Sequence, residues 1–145
     1  MAFDQSLIGK EFEATQPVAV TAEEIEAFCR ALGEDSPLYG RPGPDGAVIA
    51  PPSFAVTFRN TDAFFQYTPR FGRGFDAGKE VEFIAPIHAG DQITLSSVVR
   101  EMYEKTGRSG TMTFVILRST LKNQRGEMVA YVDHRFVHRN AGEGE

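Results

Sequence analysis

Between Gly33 and Gly40 the chain reads GEDSPLYG, with two carboxylates, a proline and a phenol inside six positions. A carboxylate on a loop can hold a water and take its proton, provided a second group stands within hydrogen-bond reach. Here that second group is Tyr39, where a histidine would complete a water-activating pair. A phenol with its ordinary pKa of about 10 is a poor base at neutral pH. Its useful roles are to donate a hydrogen bond or to orient a water. Glu34 is therefore the candidate catalytic acid, with Asp35 taking the role if the loop shifts by one residue, and Tyr39 the candidate hydroxyl. The same residues also read as turn chemistry: Asp ahead of Ser-Pro starts turns, and Tyr39 can pack the loop against a core.

Flanking elements must position these groups. TAEEIEAFCRALGE, ahead of the loop, is a helix: Thr21 is its N-cap, Glu24 completes a capping box and Gly33 is the stop. Ile25, Phe28, Cys29 and Leu32 share its apolar face. The loop itself continues through EDSPLYGRPGPDGAVIAPPS, long for a connection inside a compact domain. PPSFAVTFRNTDAFFQY then predicts a second, Phe-rich helix over 52–67, with Pro52 in its first turn. From Lys79 the period changes to that of strands. KEVEFIAPI, DQITLSSVVREMYEK, GTMTFVILRSTLKN and GEMVAYVDHRFVHR are separated by HAGD, TGRSG and NQRG. Short turns imply antiparallel pairing, and EFEATQPVAV adds a short edge strand. The expected architecture is α+β, an antiparallel sheet with one apolar face wrapped on the Phe-rich helix.

Other chemistry-bearing residues read more plainly. His88 falls in the PIHAGD turn, where Asp91 serves the turn. His134 and His138, four apart on a strand, share a face; no third ligand stands at metal spacing, so both read as solvated positions and no metal is expected. Cys29 reads as a core residue. RNTDAFFQYTPRFGRGFDAGK has two readings. Phe64, Phe65, Phe71 and Phe75 line an acyl pocket, with Arg70 or Arg73 meeting a phosphate, or they complete a core or a subunit interface.

The net charge of −5, with acids and bases interleaved, argues against nucleic acid as a main partner. No apolar run is long enough to cross a bilayer, and the first residues lack the apolar centre of a secretory signal. With a single cysteine, these features predict a cytoplasmic protein with no membrane partner.

The order of a capped helix, GEDSPLY, IAPPSF and FIAPIHAGDQITL resembles the MaoC-like dehydratase superfamily. It is closest to the FAS1-like dehydratase N-terminal branch, which includes HadA-type subunits. The resemblance spans one domain over 6–138, with an acidic flexible tail over 139–145. It implies the hotdog fold, a dimer whose sheets join, and (R)-specific hydration of enoyl thioesters or dehydration of 3-hydroxyacyl thioesters in fatty acid metabolism. The acyl group would ride on coenzyme A or an acyl carrier protein, with no other cofactor. In that family a carboxylate and a His five residues later hold the water, and a backbone N–H at the buried helix start holds the thioester oxygen. Aligning Pro37 on the family proline puts Glu34 at the acid and Tyr39 at the His. Pro51 and Pro52 stand where the family offers Gly, leaving Ser53 or Phe54 as donor, since proline lacks an N–H. Pro51, Ser53, Phe54, Phe64, Phe65 and Arg73 are thus the expected substrate-binding residues. The leading expectation is a catalytically degenerate, substrate-binding subunit working with a catalytic hotdog partner. The alternatives are a self-sufficient homodimeric hydratase using Glu34 or Asp35 with Tyr39, and a non-enzymatic acyl-thioester-binding module.

Overall fold

The computed structural model of the chain describes residues 3–68 and 73–140. Helix α1 (Ala22–Leu32) begins as its sequence dictates. Thr21 is extended, its Oγ1 accepts the Glu24 N–H at 3.1 Å, and Glu23 and Glu24 occupy the first turn, where acids favour the helix dipole. Gly33 ends the helix at φ 69°, and its N–H returns to a helix carbonyl. Glycine adopts that left-handed stop without steric penalty. Ile25 and Cys29 are buried and Phe28 is half-buried, whereas Leu32 is exposed, so the apolar stripe ends one turn sooner than its spacing implies.

The sheet comprises β1 (Glu11–Phe12), β2 (Val18–Ala19), β3 (Arg73–Phe83), β4 (Gln92–Gly107), β5 (Gly110–Lys122) and β6 (Met128–Arg139). Every pairing is antiparallel, in the order β1-β4-β5-β6-β3, with β2 also against β4. The β4–β5–β6 meander follows the three strand-like runs and their short turns. β3 starts at Arg73 rather than Lys79, and β6 continues through Arg139, with the Asn140 N–H donating to Thr111. Two irregularities shape the sheet. Arg100 is an extra residue in β4 between Val99 and Glu101, and β3 gains one between Asp76 and Lys79. Such bulges re-aim the side chains beside them.

The expected continuous helix over 52–67 is not formed. Pro52–Thr57 is a 3-10 segment, Phe58 is extended, and only Asp62–Phe65, α2, is helical again. The break has local and distant causes. Asn, Thr and Asp bond readily outside a helix. The Thr57 hydroxyl donates back to the Phe54 carbonyl at 2.8 Å, and Asn60 Nδ2 donates to the Glu13 carbonyl at 3.3 Å and reaches Ser97 Oγ at 3.5 Å. Ser97 in turn bonds Ser119 across β4 and β5 at 2.9 Å, both buried. This polar seam separates two apolar clusters. One joins Ile25 and Cys29 to Phe54, Phe58, Ile93 and Leu121. The other joins Phe3, Phe12 and Phe64 to Val99, Val115 and Leu117.

Candidate functional site

The loop after α1 is held close to its helix. The Glu34 N–H donates to the Cys29 carbonyl at 2.9 Å, and the Glu34 carboxylate accepts the Ser36 N–H at 3.0 Å. Gly40 has φ 74° and lies directly over Cys29, so a Cβ there would meet Sγ at 2.9 Å. Burial, helped by the nearby Glu34 charge, raises the Cys29 pKa, which keeps it a protonated core thiol. Asp35 is exposed, and the half-buried Tyr39 packs against the first cluster. Among the described residues no hydrogen bond joins the Tyr39 hydroxyl to Glu34 or Asp35. The loop therefore presents a carboxylate occupied with its own turn and an aromatic ring used in packing.

The start of the 3-10 segment is the second part. Pro51 is buried, and with Pro52 it closes a tight seam over Phe83, Ala85 and Val129. The Phe54 N–H donates to the Pro51 carbonyl at 2.9 Å and is thereby taken by the turn itself. Of the expected donors to a thioester oxygen, the Ser53 N–H and hydroxyl remain, on an exposed residue with no hydrogen-bond partner among the described residues. Phe54 is buried edge-to-face against Phe28 and Phe58, at 5.4 and 5.7 Å between ring centroids. With Glu24, Thr57 and Arg59 it lines an open cleft of about 630 Å³.

A third part lies across the seam. Phe64 is fully buried, stacked on Phe3 at 5.9 Å and on Phe136 at 5.5 Å, whereas Phe65 is 49% exposed and meets Phe136 edge-on. These rings and Phe75 wall a cavity of about 320 Å³ that also contains Asp76 and His134. Asp76 pairs with Phe136 in the ladder, so it shares a face with His134, two residues along β6. The β3 bulge turns its carboxylate toward that neighbour, and Oδ2 lies 2.9 Å from His134 Nε2. The Gly78 N–H, donated to Asp76 at 2.8 Å, is the main cause holding the Asp76 carboxyl below its usual value; His134 and Lys79 add to it. Burial lowers the His134 pKa, against the opposing pull of Asp76. The pair is thus a neutral imidazole donating to a carboxylate.

Residues 6–132 match the family model described as the FAS1-like dehydratase domain region. The chain belongs to the FAS1-like dehydratase family. A UPF0336 protein from Streptomyces avermitilis is 30% identical over 155 residues, covering 99% of this chain and 100% of the relative. Among solved structures, the C-terminally truncated HadBC (3R-hydroxyacyl-ACP dehydratase) complex from Mycobacterium tuberculosis superposes with a TM-score of 0.73 at 19% identity, over 94% of this chain and 99% of that one. A MaoC-like dehydratase from Rhodospirillum rubrum gives 0.61 at 19% identity, over 97% and 98%. At these identities the likeness is one of fold, and that fold is the hotdog, as the sequence motifs led us to expect.

In this FAS1-like dehydratase chain the expected site residues do not share one cavity. Glu34, Asp35 and Tyr39 sit beside α1, Pro51, Ser53 and Phe54 open the 3-10 segment, and Phe64 and Phe65 face the cavity beyond the seam. Arg70 and Phe71 lie outside the described residues, as does the side chain of Arg73. The sequence reading missed the Asp76–His134 pair, and it misplaced both histidines of β6. His134 and His138 are not solvated: they are 7% and 3% exposed. The signal was strand parity, because Ala130, Val132, His134, Phe136 and His138 alternate onto the same inward face.

Proposed function

We propose that this chain is the substrate-binding, catalytically degenerate member of a hotdog pair that hydrates enoyl thioesters or dehydrates 3-hydroxyacyl thioesters. The observation that carries the reading is the combined loss of catalytic parts. Tyr39 stands in the histidine position with its ring committed to packing, and the Phe54 N–H is consumed by the Pro51 carbonyl. Removing one oxyanion donor alone typically costs ~10²–10³ in rate. What the chain retains is binding surface: the cleft beside Phe54 and Arg59 and the Phe-walled cavity, for an acyl group carried on coenzyme A or an acyl carrier protein. The similar HadBC structure is a complex, which supports pairing with a second hotdog chain. That chain would supply the carboxylate and the His, with the Ser53 N–H or hydroxyl left here to meet the thioester oxygen. The exposed Phe83 and Ile84 at the β3 edge favour such a contact, since an edge strand carries unpaired backbone groups.

The test is hydration of crotonyl-CoA, followed at the enoyl absorbance, by the purified chain whose mass in solution is measured by light scattering. Glu34→Ala, Asp35→Ala and Tyr39→Phe run beside it. We expect no turnover from the chain alone, and turnover when a hotdog chain carrying an intact Asp-x-Asn-Pro-x-His motif, encoded beside it, is added. Turnover by the chain alone that falls with any of the three changes would establish the self-sufficient homodimer instead. Binding of acyl-CoA with no partner able to restore turnover would leave a binding module.

A further inference from the structure

The cavity beyond the seam has features that packing alone does not require. Its walls are aromatic, and its volume of about 320 Å³ falls within the range of small-molecule sites, roughly 300–1,000 Å³. It opens beside Phe65 and Phe75, which are 49% and 54% exposed. Its polar end is a histidine whose tautomer is fixed. Asp76 as a carboxylate only accepts, so His134 Nε2 carries the proton and Nδ1 presents a lone pair. Nδ1 has no partner among the described residues and is not among the atoms sealed from solvent. Thr68 Oγ1, on the same cavity wall, is sealed with no partner among the described residues.

We propose that this cavity binds a compact apolar group, ring or chain, that carries one hydroxyl, with His134 Nδ1 accepting the hydroxyl hydrogen bond. Phe64, Phe65, Phe75 and Phe136 take the apolar body, and Asp76 orients the acceptor without touching the ligand. Bare hydrocarbon would leave Nδ1 unpaired in a partly dry site, and a carboxylate would set two acceptors against each other. At Nδ1 the group that fits is a hydrogen-bond donor, while Arg59 on the same wall is the cavity's cation. This is the same Phe-walled cavity that the thioester reading offers to an acyl group, but the hydroxyl contact needs nothing from the Glu34–Tyr39 loop, which lies across the polar seam.

Phenol and toluene, nearly equal in shape, are the probes. Their binding to the full chain at neutral pH is measured by ligand-observed NMR titration, together with the ¹⁵N shift of His134 Nδ1. We expect phenol to bind roughly three- to tenfold more tightly, the net worth of one hydrogen bond, and to move the Nδ1 resonance where toluene does not. In His134→Phe that preference should vanish while toluene still binds, with a thermal melt confirming the fold. Equal affinities, no binding of either probe, or a preference that survives His134→Phe would overturn the proposal. The wild-type comparison decides the matter even if the variant does not fold.

Discussion

At the residue scale, the Asp76–His134 pair makes stability depend on pH in two separate windows. The folded pKa of His134 is lowered from its reference value of 6.5 by burial. The unfolded chain therefore binds more protons between the folded and unfolded values, so this contribution is complete above the unfolded pKa and lost as pH falls. Asp76 is also lowered, from 3.8, chiefly by the Gly78 N–H, so its contribution is lost only at more acid pH. From about pH 8 to about pH 5 the histidine acts alone of the two. Arg59 and Lys79 near His134 disfavour its protonation and reinforce the trend. Urea midpoints across that range should fall for the wild type, with a slope from this group of at most about 1.4 kcal/mol per pH unit, and fall less for His134→Phe. His88 and His138 are common to both proteins, so identical slopes would remove His134 from the account.

At the element scale, the polar seam is what divides the interior. Ser97→Ala leaves the Ser119 hydroxyl buried without its 2.9 Å partner, which should lower stability by about 1–3 kcal/mol. Changing both serines should be less damaging than the sum of the single changes, because no orphan remains. Strictly additive urea midpoints would show that the two hydroxyls are not coupled. The same seam explains which elements were legible in the sequence. α1 carries its cap, stripe and stop within its own residues, and β4 to β6 carry alternation and turns, so local patterns sufficed. The 52–67 stretch is aromatic enough to read as a helix, yet it breaks where Asn60 is captured by residues 37 and 47 positions away. No local period records that capture. The stretch after α1 was read correctly as a loop, but whether Tyr39 faces a water or a core depends on how Gly40 settles on Cys29. Asp76 and His134 are 58 residues apart, and a bulge brings them together. Only the inward parity of His134 was visible beforehand.

At the scale of the whole molecule, the sheet has a built-in order of assembly. β4, β5 and β6 are joined by short turns and pair as neighbours, whereas β3 must reach β6 from far away in sequence and pairs with no other strand among the described residues. Contacts between distant residues carry a larger loop-closure entropy and tend to form late. The meander is therefore expected to form before β3 docks on β6, and β3 to peel away before the meander opens. Hydrogen exchange should find β3 amides faster than those of β5, and phenol should slow β3 selectively; uniform protection would contradict this order. Because Asp76 rides on β3 and His134 on β6, the cavity exists only once β3 has docked on β6. A molecule filling it would act as a latch, holding shut the edge strand on which the proposed partner chain would build.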